Sequence, residues 1–154
     1  MKKSLEEILS RQDYKNLTPA LKERVEEIAK SIRLKMDELD LTGRIIVGAY
    51  IQDGEKHQLG VEIKKASACG CSDYYLALSS LLYSDEYIDG HSLEDVGCSY
   101  CYCNDYNARV NGASYPEALM FLNASASIIE KLGEIETQQV EAVTAALNAT
   151  AKEA

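Results

Sequence analysis

The chain has 154 residues, of which 46% are hydrophobic and 27% charged, a composition that supports one packed domain and argues against disorder. Its net charge of −9 disfavours direct binding to nucleic acid through a basic face. No apolar run approaches the ~20 residues of a transmembrane helix, so we expect no membrane segment.

The N-terminal part is predicted to be helical. Ser4 and Glu7 fit a capping box for a short first helix. Thr18 and Pro19 form a second start signal, because proline fits the first position of a helix. A long amphipathic helix of about five turns is predicted from there to Gly43, because apolar residues recur every three or four positions: Leu21, Val25, Ile28, Ile32, Met36 and Leu39.

Residues 44–66 are predicted to form an antiparallel β-hairpin. The run Arg44–Ile51 is rich in β-branched residues, and the run His57–Lys65 alternates between apolar and polar residues. Asp53 and Gly54 between them are a turn signal, because glycine adopts a positive φ without steric cost. Since two strands are rarely stable alone, we expect the long helix to pack on this hairpin and further strands to extend it.

Residues 67–115 form a Cys/Tyr/acidic segment. They contain all five cysteines, eight of the ten tyrosines and seven acidic residues against one basic residue, Arg109, so that their net charge is −6. A helix is predicted over Asp73–Tyr83. The rest of the segment is expected to be irregular and to be held by something other than a hydrophobic core.

The C-terminal part, residues 116–154, is predicted to be helical with Ser114 as its N-cap. Gly133 is expected either to end this helix or to kink it before a second one. The apolar residues of the first part are Leu119, Leu122, Ile129 and Leu132, and those of the second are Val140, Val143 and Leu147. Small residues between them favour close helix packing or self-association into a homo-oligomer. The predicted class is α+β, in one domain over residues 1–154 (1–43 helical, 44–66 hairpin, 67–115 Cys/Tyr/acidic, 116–154 helical).

The cysteines are spaced as in a metal site. Cys69 and Cys71 are followed, after 26 intervening residues, by Cys98 and Cys101. Two close pairs that are far apart in the sequence suit a tetrahedral thiolate zinc site, so zinc is the candidate cofactor. Either of two further residues can replace one ligand: Cys103 and His91.

The order C-x-C then C-x2-C resembles the zinc-binding redox switch of the heat-shock chaperones that are activated by oxidation. The resemblance covers these four cysteines only, and it implies thiolates that hold zinc and release it when oxidised. Two other interpretations stay open for the same residues: buried free thiols that pack as small hydrophobes, and disulfides. Met1 and the lysines after it indicate a cytoplasmic protein, in which most cysteines are reduced.

The tyrosines and carboxylates of the segment predict an acidic, Tyr-rich surface for a partner or ligand, because tyrosine is enriched at interfaces. The predicted contact residues are Tyr83, Tyr87, Tyr100, Tyr102, Tyr106, Asp85, Glu86 and Asp89. Alternatively, several tyrosines replace the missing Trp and the scarce Phe in the core. Arg109 either pairs with nearby carboxylates or anchors a small anionic ligand.

No polar residues have a recognisable acid–base or nucleophile setting, so we expect no enzyme activity. The first hypothesis is a non-enzymatic cytoplasmic binding protein that presents its acidic surface, braced by the cysteines, to a basic protein partner. Some phage-encoded inhibitors act in this way by imitating the charge of a nucleic-acid backbone. The alternatives are an oligomer that sequesters a small nucleotide-type ligand through Arg109 and tyrosines, and a zinc-thiolate redox or metal sensor.

If the four cysteines bind zinc, the purified protein should contain about one equivalent of zinc per chain. Cys98→Ser should then lower the zinc content and the thermal stability together, because the free energy of metal binding contributes to folding. Native mass spectrometry and thermal unfolding measure the two quantities. The neighbouring change Ser99→Ala should alter neither, and a fully stable, metal-free protein with reactive thiols would contradict the prediction.

Overall fold

The computed structural model describes residues 4–9, 12–66, 73–79, 81–84, 92–94 and 113–151. In these residues, helices pack on a three-stranded antiparallel sheet with the strand order β1-β2-β3. The mixed α+β class predicted from the sequence is therefore confirmed. The elements are α1 (Leu5–Leu9), α2 (Gln12–Glu38), β1 (Arg44–Gln52), β2 (Glu55–Ala66), β3 (Asp73–Leu78) and α3 (Tyr115–Ala151).

The N-terminal helices differ from the predicted ones. The first helix, α1, has only five residues, and Ser4 Oγ accepts the N–H of Glu7 at 3.2 Å, as in a capping box. Helix α2 begins at Gln12, so that Pro19 lies inside it. The predicted long N-terminal helix starting at Pro19 is therefore not supported. Proline is favoured in a first helical turn. Inside a helix it removes one hydrogen bond and its ring crowds the carbonyl four residues earlier, at a cost of about 3 kcal/mol that the packing of the residues after it can offset.

Helix α2 ends before Gly43, through a turn centred on Asp40. Asp40 has a φ of 54°, a left-handed conformation that its short polar side chain tolerates. The N–H of Leu41 donates to the carbonyl of Met36 at 2.9 Å, and the N–H of Asp40 donates to the carbonyl of Asp37 at 3.1 Å. These two bonds form a Schellman motif, which satisfies the last carbonyls of the helix and directs the chain into β1.

Strands β1 and β2 form the predicted hairpin. Asp53 and Gly54 occupy its turn with φ values of 52° and 79°, as in a type I′ turn. The register shifts by one residue between Ile46 and Gly48, which is a β-bulge in β1. Gly60 on β2 lies beside this bulge, and a Cβ atom there would overlap the carbonyl group of Ile45. Only glycine therefore allows the two strands to approach each other at this point.

The third strand comes from the Cys/Tyr/acidic segment. Residues Asp73–Leu78 pair antiparallel with Val61–Ala66 of β2. The helix predicted over Asp73–Tyr83 is therefore wrong, and most of the remaining part of the segment, which was expected to be irregular, lies outside the described residues. Five consecutive residues, Tyr75–Ser79, are buried. A short apolar run of this kind fits a buried strand or a buried helix equally well, and the free edge of β2 provides the hydrogen bonds that favour a strand.

The core lies between the sheet and the two long helices. Helix α3 packs against β1 and β2, whereas α2 packs against β3 and α3. Among the described residues, the hairpin thus packs mainly against α3, whereas the sequence suggested α2. The apolar residues predicted along α2 do face the core. The largest fully buried side chains come from both layers: Phe121, Ile32, Met36, Leu76, Ile128 and Val61.

Helix α3 is one helix of 37 residues. Ser114 and Glu117 form a capping box at its start, as predicted for Ser114: Glu117 Oε1 accepts the N–H of Ser114 at 3.1 Å. Gly133 does not end it, because a glycine inside a helix costs only about 1 kcal/mol relative to alanine. The predicted stripe is also wrong in part, because Leu119 and Ile129 are exposed. The buried apolar residues are Ala118, Phe121, Ala124, Ile128 and Leu132.

Gly60→Ala should destabilise the protein by about 2 kcal/mol or more, because the added methyl group overlaps the backbone of β1. Chemical denaturation measures this loss. Gly43→Ala is the matched control, since a Cβ atom at Gly43 meets nothing within 4 Å. It should change the stability by less than about 1 kcal/mol. Equal stability of the two variants would contradict the proposed close approach of β1 and β2.

Candidate functional site

The predicted zinc ligands lie outside the described residues. This holds for the four main ligands and for the two substitutes: Cys69, Cys71, Cys98, Cys101, Cys103 and His91. In the part of the chain that the structure describes, no group of three or more His, Cys, Asp or Glu residues is placed to hold a metal ion. Zinc binding by the cysteines therefore stays a prediction.

Of the predicted partner or ligand contacts, Tyr83 lies within the described residues and is exposed. Its hydroxyl donates to the carbonyl of Gly48 at 3.4 Å, and Lys56 Nζ lies 4.6 Å from the centre of its ring. These contacts hold Tyr83 against the hairpin, with a cation–π interaction on its ring. The other predicted contacts lie outside the described residues: Arg109, Tyr87, Tyr100, Tyr102, Tyr106, Asp85, Glu86 and Asp89. The acidic-surface, nucleotide and sensor hypotheses thus stay predictions.

Glu94, one of the seven acidic residues of the segment, is not part of an exposed acidic surface. Arg33 Nε on α2 donates to both oxygens of its carboxylate, at 3.0 and 2.9 Å. The backbone N–H of Leu76 on β3 donates to the same carboxylate at 2.5 Å. The side chain of Glu94 is only 11% exposed and that of Arg33 19%. One carboxylate therefore joins this segment to α2 and to β3.

Residues 92–94 lie along the outer edge of β3. Ser92 forms an antiparallel bridge with Ala77, and the N–H of Leu93 donates to the carbonyl of Leu76 at 2.8 Å. Leu93 is buried in the core. The N–H of Ala113 donates to the carbonyl of Ser92 at 2.9 Å, which brings the start of α3 to the same place. These contacts pair part of the outer edge of β3.

A second polar group lies where the hairpin meets the start of α3. The rings of Tyr50 and His57 stack with their centres 5.0 Å apart and an angle of 13° between their planes. His57 is buried, and its Nδ1 atom has no hydrogen-bond partner among the described residues. Burial raises the pKa of Tyr50, and the negative charge of Glu117 raises it further. Glu117 is held in the capping box, so these contacts connect β1 and β2 with the N-terminus of α3.

Helices α2 and α3 lie side by side and run in the same direction. Lys35 Nζ contacts Glu136 Oε2 at 2.6 Å, and Gln139 Nε2 donates to the carbonyl of Leu39 at 2.9 Å. The hydrogen bond to Glu136 raises the pKa of Lys35, so that the ammonium group stays charged. Because α2 ends at Glu38, α3 continues past the end of its neighbour.

The projecting end of α3 comprises the last twelve residues of the helix, Val140–Ala151, and each of them is exposed. At 1.5 Å per residue it is about 18 Å long. Three aliphatic side chains lie on one side of it, because they are spaced by three and four residues. These are Val140, Val143 and Leu147, with 59%, 57% and 64% of their surface exposed, and we call them the apolar stripe.

An apolar groove lies between the two helices, before the projecting end. Its volume is about 880 Å³, and we call it the α2/α3 groove. Two ion pairs also line the groove: Arg24 contacts Glu27 at 3.1 Å, and Lys35 contacts Glu136 at 2.6 Å. A smaller pocket of about 320 Å³ at the end of α2 shares Glu136 with it. The apolar residues that line the groove are Ile28, Ile32, Leu34, Ile129 and Leu132.

Sequence reasoning named the residues of the apolar stripe and favoured close helix packing or self-association for their helix. It did not identify the α2/α3 groove, because Leu34 and Ile129 come from helices that are far apart in the sequence. The run of small residues around the stripe was the available signal, and it favoured self-association.

No protein-family model matches the chain, and comparisons with curated proteins and with solved structures also give no match. Among the helices of the described residues, none is both long and apolar enough to cross a membrane.

Glu94→Gln should destabilise the protein by about 2–3 kcal/mol, because it leaves the largely buried guanidinium of Arg33 without its main counter-charge. Glu38→Gln is the control, since Glu38 is 68% exposed and pairs with Lys35 at 3.4 Å. Its effect should stay below about 1 kcal/mol. Urea denaturation compares the two variants, and a Glu94→Gln protein as stable as the control would show that this ion pair does not hold the fold.

Proposed function

We propose that the protein is a non-enzymatic binding protein that recognises an apolar helix of another polypeptide through α2 and α3. The observation that carries this proposal is the apolar stripe on the projecting end of α3. Its three aliphatic side chains are all more than half exposed on one side of a helix. Burying the exposed part of each contributes roughly 1 kcal/mol or more to association.

The lack of tertiary packing around the projecting end also supports recognition of a partner helix. The stability of helices in proteins comes mostly from the tertiary packing of one face, and every residue of the projecting end is exposed. In the described chain, Gln139 donates a hydrogen bond to Leu39, and beyond it Val140, Val143 and Thr144 line only a small pocket beside Glu38 and Leu39. A partner helix would supply the missing packing and would stabilise the projecting end at the same time.

The composition of the projecting end indicates the chemistry of the partner. Glu141 is the one charged residue among its twelve, in a chain whose charged fraction is 27%. The other side chains of the projecting end are small or uncharged, and Ala145 and Ala149 lie on the side opposite the apolar stripe. The preferred partner is therefore an apolar helix of low charge.

The test is a binding titration with a fluorescent synthetic helix of about three heptads, with Leu at the a and d positions and Ala and Gln elsewhere. The wild-type chain should bind this helix. The double variant Val143→Glu/Leu147→Glu should bind it about 30-fold or more weakly, because two carboxylates would have to be buried without partners.

The matched control is Ala145→Glu/Ala149→Glu. It adds the same two charges at the same i,i+4 spacing, but on the opposite side of the projecting end. Because all four positions are exposed, both variants should keep the circular dichroism spectrum of the wild type. If the two variants bind the synthetic helix equally well, the apolar stripe is not the binding surface and the proposal is wrong.

A further inference from the structure

We infer that the helix recognised by this surface is α3 of a second copy of the same chain, in an antiparallel pair. In this arrangement, the apolar stripe of each copy lies in the α2/α3 groove of the other. The inference rests on the proposed function and names the partner. The contact in such an antiparallel pair is isologous, because both copies use the same surface around a two-fold axis.

The spacing of residues along α3 supports the antiparallel pair. The apolar stripe continues towards the groove through Ile129, Gly133 and Glu136, with alternating steps of four and three residues. This is the spacing at which two helices can pack along a common seam. When two such helices pair antiparallel about the middle of this row, Leu147 faces Ile129, Val143 faces Gly133 and Val140 faces Glu136.

Gly133 is well suited to this contact. Nothing lies within 4 Å of the position that its Cβ atom would occupy, and the residue lines the α2/α3 groove. A facing Val143 can therefore enter the space that a larger residue at position 133 would fill. Leu147 then lies over the apolar floor of the groove beside Ile129.

Charge favours a second copy in this orientation. Two chains of net charge −9 repel each other, so a stable contact has to form where there is little charge. The projecting end has one charged residue, and Glu136 at the centre of the row is already paired with Lys35. A parallel pair would place Glu136 and Glu141 of one copy near the same residues of the other, and it would leave both grooves empty.

The size of the surface fits a weak specific contact. Residues 129–139 extend over about 16 Å beside α2, where the two helices are about 20 Å wide, and residues 140–147 add about 12 Å of a single helix about 10 Å wide. The projected area is therefore about 450 Å² per copy, at the low end of specific interfaces, which bury ~800 Å² per partner on average. The antiparallel pair covers both the apolar stripe and the groove of each copy.

The first experiment measures the mass of the full chain in solution by sedimentation equilibrium. The wild type and the control Ala145→Glu/Ala149→Glu should both be dimers of the 17.0 kDa chain. Val143→Glu/Leu147→Glu should weaken the dimer by about 100-fold or more, because each copy contributes two carboxylates to the interface. Gly133→Leu should weaken it as well, since it fills the groove and leaves the stripe unchanged.

The second experiment determines the orientation. Benzoylphenylalanine placed at Leu147 should cross-link to a peptide of the second copy that contains Leu34 or Ile129, as mass spectrometry of the digested dimer can show. Cross-links to residues 140–151 of the second copy would overturn the antiparallel arrangement. A dimer that Gly133→Leu leaves intact would overturn it too.

Failure of this inference is distinguishable from failure of the proposed function. If the wild-type chain is monomeric but binds the synthetic helix through its apolar stripe, the second copy is not the partner and the proposed function stands. If the variant Val143→Glu/Leu147→Glu still forms the dimer and still binds the synthetic helix, both the proposed function and the antiparallel dimer are wrong.

Discussion

The difference in size between the sheet and helix α3 is the constraint on which the other features depend. Three strands spaced by about 4.8 Å make a narrow sheet, whereas a helix of 37 residues is about 55 Å long. Among the described residues, the sheet and α2 cover α3 up to Gln139, which donates a hydrogen bond to the carbonyl of Leu39 just after the end of α2. The twelve residues that follow, Val140–Ala151, are all exposed. The exposed apolar stripe is a direct consequence.

The contacts of Glu94 show how the Cys/Tyr/acidic segment is connected to this framework. Its carboxylate accepts hydrogen bonds from Arg33 on α2 and from the backbone of Leu76 on β3. Burying a charged pair has a desolvation cost, which the additional hydrogen bonds help to offset. The same contacts cover part of the outer edge of β3, where unpaired backbone groups would otherwise attract another strand. A charge that composition alone assigns to a binding surface thus has a structural role.

Local features could be predicted from the sequence because their causes lie within a few residues. The type I′ turn needs a positive φ, which Asp53 and Gly54 can adopt, and Ser114 can cap α3 through its own neighbours. The helix predicted over Asp73–Tyr83 and the helix start predicted at Pro19 were wrong. The residues of β3 form a strand because the edge of β2, which is distant in the sequence, supplies the hydrogen-bond partners, and α2 begins before Pro19. Helix α3 also continues past Gly133.

The sequence by itself determined the mixed α+β class, the hairpin turn and the helix caps, since hydrophobic periodicity and turn chemistry act over short distances. It also named the three side chains of the apolar stripe, although it predicted them to be packed. Only the tertiary structure decided which apolar faces are covered. Leu132 is buried and Val143 is exposed because of where α2 and the sheet end in space. The local sequence around each of these two residues does not determine this. Burial is a property of the assembled layers, and the candidate binding surface is the part of α3 that those layers do not reach.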